Sequence, residues 1–412
     1  MATASFPERT DWLRVLIILG AAVLTTFQVG KAPPSLPLMR ADLRLSLFAA
    51  GWVVSLLTFV SMIGGTLAGA IADRLGHRRM IFYGLVILGL GSLAGALAPS
   101  AAILLASRFF EGLGLAVLVV AGPALLVRFT GTNHIRMVMG FWSCSVPAGV
   151  SLMMIFSSVL LTVSTWRYLW LTNAIMLFAY ALFFSLWTRE PTTWSSRLDE
   201  NTVRIWRDIW RTVSKPGPIL LGLCYGAYTF QLMGFMGFLP TLLIEDLHVG
   251  QSAAAIVAAL IVASNVLGNL LSGYLLQRGV TRVVCLIAAN GLMAACAFGI
   301  YAASWPDPIR VGLGFLFCGV SGMIPAALFA GTVVHAPNPS LVGTTNGLMM
   351  QGSNVGSTFG PPLVAAAVTA AGGWQVVPWV LLSAAALGIL FGLALGWLER
   401  KQRETSIGTT RF

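Results

Sequence analysis

The sequence predicts an all-α integral membrane fold: twelve transmembrane helices in two pseudo-symmetric six-helix bundles. Three observations predict it. Of the 412 residues, 57% are hydrophobic and 9% are charged, and the mean hydropathy is +0.85; a soluble domain carries about 25% charged residues. The apolar residues fall into runs of membrane-spanning length, and twelve spans of ~20 residues use roughly 240 residues, leaving only short loops. The two halves of the chain also echo each other at a near-constant offset. Bare backbone in lipid must bond within its own segment, and the alternating strands of a barrel are absent, so the spans are helices.

Span one is expected over 13–36. Asp11 and Arg14 precede its apolar run and no clear A-x-A site follows, so it reads as a retained helix and not a cleaved signal. Pro33 and Pro34 bend or end it. Spans two to six follow at 47–70, 80–98, 101–127, 138–162 and 167–187. The stretch 188–216 is rich in charge and contains the midpoint of the chain. Within it, Val203 to Val213 interleaves Trp206 and Trp210 with basic residues, the pattern of an interfacial helix. Spans seven to twelve follow at 217–243, 252–276, 283–304, 309–333, 341–370 and 375–397. The expected organisation is a first bundle over 1–187, a cytoplasmic linker loop over 188–216 and a second bundle over 217–412. Spacings such as Gly91-x-x-x-Gly95 and Gly352-x-x-x-Gly356-x-x-x-Gly360 let helices approach closely.

The net charge of +11 reflects topology. With both termini in the cytoplasm, 19 of the 25 basic residues lie in inside segments, as the positive-inside rule requires. The basic residues sit between apolar runs with no soluble basic domain, which argues against nucleic-acid binding. The five cysteines lie in apolar runs without a CxxC, and the four histidines are scattered at or near span ends. Neither set suggests a disulfide, a metal site or a cofactor. No N-x-[ST] acceptor occurs, since Asn338 precedes Pro339, which fits a bacterial inner membrane. There is no Walker A motif, no G-x-S-x-G and no HExxH, so neither an ATP-driven pump nor a recognisable hydrolase is indicated.

Thr26-Phe27-Gln28 recurs 203 residues on as Thr229-Phe230-Gln231, and Leu36-Pro37 recurs at the same offset as Leu239-Pro240. Gly112, Gly140 and Gly149 map to Gly319, Gly347 and Gly356, each 207 residues on. Two halves of the same orientation imply a pseudo-twofold axis along the membrane normal and a site near the midplane.

Residues 69–79 read GAIADRLGHRR, between spans two and three. This resembles the loop signature G-x-x-x-D-R-x-G-R-[RK]-[RK] of the major facilitator superfamily, through Gly69, Asp73, Arg74, Gly76, Arg78 and Arg79. The second half has a worn copy, GYLLQRGVTR, with Gln277 in place of the acid. Span four, RFFEGLGLAVLV, is similar to the family's Arg-x-x-x-Gly element. A finer similarity, in QVGKAPPSLPLMRADLRLSLFAAGW and GSNVGSTFGPPL, is to the cyanate and nitroimidazole permease branch. The resemblance implies the twelve-helix fold, alternating access, and a cytoplasmic gate in which Asp73 meets the N-terminus of span eleven and nearby bases, with Arg128 as a partner.

The repeat also points to function. Lys31, Arg108 and Glu111 map to Gly234, Phe315 and Cys318, so these charges answer to no shared structural demand. An ionisable group at the helix centre costs at least ~2.5–3.5 kcal/mol on insertion scales and normally faces a cavity or a partner. Arg108 and Glu111 are i, i+3 and can pair. Arg108 would hold an anion, and Glu111 would carry a coupling proton; the bland alternative is a structural ion pair. Lys31 lies on a polar stripe with Thr25, Gln28 and Ser35, facing either a cavity or, as a snorkelling lysine, the outer interface. Trp142, Tyr228, Gln231, Asn265, Gln351 and Asn354 complete the candidate lining, each equally able to bond a neighbouring helix.

The expectation is a monomeric, proton-coupled secondary transporter of a small solute, more readily an anion. A drug/proton antiporter is the rival within that class, and a transporter-like sensor or a membrane enzyme the rival outside it.

Overall fold

Proline or glycine stands at several helix breaks, while α11 and α12 part at Ser264 and other helices run through internal prolines. The computed structural model describes residues 9–131, 133–188, 201–338 and 341–409, without the side chains of 64–75, 136, 143, 201–206 and 402–409. Helix α1 (Trp12–Gly30) starts where the Asp11 carboxylate accepts the Arg14 N–H at 3.2 Å. It stops at Lys31, and α2 (Ala32–Leu43) restarts with prolines in its first turn, where missing N–H groups leave no intrahelical bond unmade. Ser35 Oγ donates to the Lys31 carbonyl at 2.6 Å, supporting the break.

Helix α3 (Leu47–Leu75) passes into α4 (His77–Ala96) through the single residue Gly76, at φ +85. A β-carbon is strained in that conformation, which accounts for the glycine of the loop signature. Helices α5 (Ala101–Phe129), α6 (Ile135–Val163) and α7 (Trp166–Trp187) follow, and α8 (Asn201–Val213) is the linker helix, with Trp210 exposed. The second half begins with α9 (Pro216–Met236) and α10 (Leu239–Glu245), broken just before Pro240 as α1 and α2 break just before Pro33. Helices α11 (Gln251–Ala263) and α12 (Asn265–Gln277) meet at Ser264, and α14 (Asp307–Ser321) and α15 (Met323–His335) at Gly322. Helix α13 (Arg282–Ile300) precedes α14, and α16 (Val342–Ala371) and α17 (Val377–Thr409) close the chain.

Ten segments of the described residues are long and apolar enough to cross a membrane, and Leu47–Ile63 of α3 is a shorter apolar stretch. Helix α16 has 30 residues, diluted by Thr, Asn, Gln, Ser and Gly. Each span expected from the sequence therefore has its helix or helix pair, and no strand occurs among the described residues.

The chain packs as two compact units, Met1–Leu198 with Met236–Leu260, and Asp199–Phe235 with Ile261–Phe412. The core of the first holds Val15, Ile18, Leu57, Ile81, Leu88, Leu118, Leu125 and Phe184. Within it, α10 and the start of α11 lie against α2: Arg40 Nη1 is 2.7 Å from Glu245 Oε1, and Gln251 Nε2 donates to the Pro34 carbonyl at 3.1 Å.

Backbone geometry carries the internal repeat further than the residue matches do. Among the described residues, two non-glycines have positive φ, Arg44 and His248, both at 52° and 204 positions apart. Gly76 and Gly279, at +85 and +88, are 203 apart. A helix joint repeats as well. Thr26 Oγ1 donates to the Ser145 carbonyl at 3.1 Å, and Thr229 Oγ1 to the Ser353 carbonyl at 2.8 Å. Gly149 lies against Thr26 and the Val23 carbonyl, as Gly356 lies against Thr229 and the Gly226 carbonyl. Helix association in lipid rests on such close backbone approach.

Candidate functional site

The end of α1 presents carbonyls with no partner further along the helix, the negative pole of its dipole. Cations gather there. Arg108, on α5, donates from Nη1 to the Gln28 carbonyl at 3.0 Å and from Nε to the Val53 carbonyl of α3 at 2.8 Å. Its Nη1 also pairs with Glu111 Oε2, one turn along the same helix. The other carboxylate oxygen, Oε1, takes Lys31 Nζ at 2.5 Å. Lys31 donates as well to Ser92 Oγ at 2.8 Å and stands 4.4 Å from the centre of the Trp170 ring, a cation–π contact in a dry setting. Ser92 Oγ in turn donates a hydrogen bond to the Trp170 carbonyl at 2.8 Å.

Lys31, Arg108, Glu111 and Gln28 all have zero solvent exposure. Glycines make the closure possible. A β-carbon at Gly91 would stand 2.7 Å from Glu111 Cγ, and one at Gly95 2.5 Å from Trp170 Cδ1. Helix α4 thus lies directly on the cluster, and a side chain at either glycine would force it away. Among the described residues, three polar atoms of the cluster remain unsatisfied: Arg108 Nη2, Gln28 Oε1 and Trp170 Nε1 have no hydrogen-bond partner. The Gln28 amide nitrogen donates to Asn173 Oδ1 at 3.2 Å.

The expected Arg108–Glu111 pair is therefore formed, and Lys31 joins it. Burial removes the reading of Lys31 as a snorkelling residue at the outer interface, because its ammonium reaches inward to Glu111 and not to water. Ser92, Trp170 and Asn173 were missed by sequence reasoning. The signal for Ser92 and Asn173 was a polar side chain inside an apolar run; Trp170 gave none, since aromatics abound in such runs.

The second unit has a different chemistry at the corresponding positions. Gly234 packs on Val364, and Phe235 and Phe317 have ring centres 4.7 Å apart beside buried Cys318. Gln231 nevertheless mirrors Gln28, donating to Asn290 Oδ1 at 2.8 Å. Tyr228 stacks on Tyr225 with centres 5.7 Å apart, and its hydroxyl accepts from Asn265 Nδ2 at 3.3 Å. Asn265 donates to Ser321 Oγ at 2.8 Å too. Trp142 covers Gly122. Gln351 and Asn354 are half-buried, and their side chains make no hydrogen bond among the described residues.

Of the expected gate residues, the side chains of Gly69, Asp73 and Arg74 lie outside the described residues. Gly76 forms the turn already described. Arg78 donates to the Ser185 carbonyl at 2.6 Å and to Thr188 Oγ1 at 3.3 Å, at the end of α7. Arg128 Nη2 is 3.0 Å from His77 Nδ1.

Known proteins can now be set beside this geometry. The 2-nitroimidazole transporter of Escherichia coli (strain K12) is 25% identical over 395 residues, 93% of this chain and 96% of that protein. The lincomycin resistance protein of Streptomyces lincolnensis is 28% identical over 169 residues, 40% of this chain. The match spans only 34% of the length of that protein. Among solved structures, a bacterial homolog of the human lysosomal transporter Spinster, in an inward-facing and occupied conformation, superposes with a TM-score of 0.75 at 17% identity, covering 97% of this chain and 98% of that one. The sequence model of the Major Facilitator Superfamily matches residues 18–361, and the chain belongs to that family.

Proposed function

We propose that the chain is a secondary active transporter that carries a small anion across the membrane by alternating access, driven by protons. One observation carries the reading: a single carboxylate, Glu111, holds two cations, Lys31 and Arg108, in a sealed cluster whose repeat positions in the second half carry Gly234, Phe315 and Cys318. A proton on Glu111 cancels its charge and frees both cations for an anion, so proton and anion are taken up together. The unsatisfied Arg108 Nη2 and Gln28 Oε1 supply a further donor and acceptor for the incoming solute. In this reading Lys31, Arg108 and Gln28 hold substrate, Glu111 carries the proton, and Asp73 with Arg74, Arg78 and Arg128 closes the cytoplasmic side. Trp142, Tyr228, Gln231, Asn265, Gln351 and Asn354 line the passage. The working unit is a monomer in a bacterial inner membrane with both termini in the cytoplasm, and the activity is transport, not catalysis.

The test is uptake into sealed proteoliposomes of a panel of radiolabelled monocarboxylates and small inorganic anions under an imposed pH gradient. Accumulation that collapses when the gradient is dissipated supports the reading, and gradient-independent equilibration refutes proton coupling.

A second reading, drug/proton antiport, is favoured by the stacked Tyr225–Tyr228 pair and by the relative named for lincomycin resistance. Tight binding of a cationic drug that ignores Lys31→Ala and Arg108→Ala selects it over anion transport.

A further inference from the structure

A cavity of about 140 Å³ opens in the first unit between the start of α4 and the end of α7, lined by Arg78, Arg79, Phe82, Tyr83, Phe184 and Ser185. Among the described residues, its lining holds two guanidinium groups and no carboxylate. Arg78 is anchored by its bonds to Ser185 and Thr188. Arg79 is exposed, and among the described residues it has neither an ion pair nor a hydrogen bond. No side chain caps the α4 N-terminus, so its positive pole adds to the same field. The remaining wall is aromatic: Phe184 is fully buried, while Tyr83 is half-exposed and meets Phe82 edge-on.

An exposed, unpaired cation beside an anchored one and an apolar wall suits a ligand with an anionic head and an apolar body. We propose that this cavity binds the phosphate of an anionic phospholipid, its headgroup on Arg79 and Arg78 and its glycerol and upper acyl carbons along Tyr83 and Phe82. Basic pockets between transmembrane helices recognise such headgroups, and each base near the surface contributes about a fivefold gain in affinity. The shared chemistry is a phosphate oxyanion, which a lipid or free phosphate supplies. The aromatic wall favours the lipid, since inorganic phosphate gains nothing from it.

Native mass spectrometry of the full chain in detergent tests this, with titrations of dioleoyl-phosphatidylglycerol, dioleoyl-phosphatidylcholine and sodium phosphate in parallel. The expected result is preferential retention of phosphatidylglycerol over phosphatidylcholine. Arg79→Gln should weaken that retention about fivefold, Arg79→Lys should restore part of it, and Arg278→Gln, at a basic helix end elsewhere, should leave it unchanged. Among the described residues Arg79 makes no bond, so these variants keep the fold. Equal retention of both lipids, or of phosphatidylglycerol by Arg79→Gln, overturns the site. Sodium phosphate that displaces phosphatidylglycerol at matching concentration overturns the lipid assignment and marks a soluble-anion site.

Discussion

Lys31 Nζ lies 2.5 Å from Glu111 Oε1 across 80 residues of sequence, with both side chains closed off from solvent. Neither the lysine nor the carboxylate can be removed quietly, because a buried charge that loses its partner costs about 3–5 kcal/mol. Arg108 shares the same carboxylate, so Glu111 is the common tie of α5 to the break between α1 and α2.

Glu111→Gln should abolish gradient-driven accumulation and leave counterflow exchange largely intact. The amide cannot take up a proton but still accepts a hydrogen bond. Paired uptake and counterflow assays in proteoliposomes check this. Accumulation with an unchanged pH profile would remove Glu111 as the proton carrier.

Lys31→Met keeps the length of the side chain but deletes the charge that meets Glu111, Ser92 and the Trp170 ring. Binding of an anionic solute should weaken by ~1.5–3 kcal/mol, the worth of a charge-assisted bond. Isothermal titration of the purified protein measures it. Ser92→Ala should reproduce a fraction of the loss, since it only orients the ammonium.

Gly149→Ala and Gly356→Ala should be damaging in parallel. A β-carbon at Gly149 would stand 2.7 Å from the Val23 carbonyl and collide with Thr26, and one at Gly356 would stand 2.7 Å from the Phe230 nitrogen and collide with Thr229. Each should cost about 1–3 kcal/mol. Gly140 and Gly347 are repeat mates with nothing within 4 Å of a β-carbon. Alanine there should be neutral or stabilising by about 0.5–1 kcal/mol in helical backbone. Thermal unfolding in detergent separates the two pairs.

Arg44→Gly and His248→Gly should each raise stability, by about 0.5 kcal/mol, because both residues hold the left-handed conformation at φ 52. The same unfolding assay reads both, and a drop at either site means that its side chain contributes more than its backbone strain costs.

The helices were legible in the sequence because lipid leaves the backbone no alternative and the apolar runs have the right length. Pro33 and Pro34 announced the break between α1 and α2, and the Arg108–Glu111 pair followed from its spacing; the breaks before α10, α12 and α15 fall inside runs that read as single spans. The depth of Lys31 could not be read, because burial depends on where α1 stops and on what packs against it. Gly91 and Gly95 marked a close approach without naming what approached; in the fold it is Glu111 and Trp170. Partners such as Ser92 and Asn173 come from other helices, and no local pattern joins residues 61 or 145 positions apart.

Two cations and one carboxylate do not cancel. With Lys31 protonated, the Lys31–Arg108–Glu111 cluster keeps one positive charge inside the membrane. A transmembrane voltage does about 2.3 kcal/mol of work per elementary charge per 100 mV over a full crossing. An empty carrier drags that charge through part of the field, and a carrier loaded with a proton on Glu111 and a monoanion drags the same charge back. The resting potential would then do no net work over a cycle with a monoanion, whereas a dianion neutralises the loaded cluster, and currents from a solid-supported membrane would show sustained charge movement with the dianion alone.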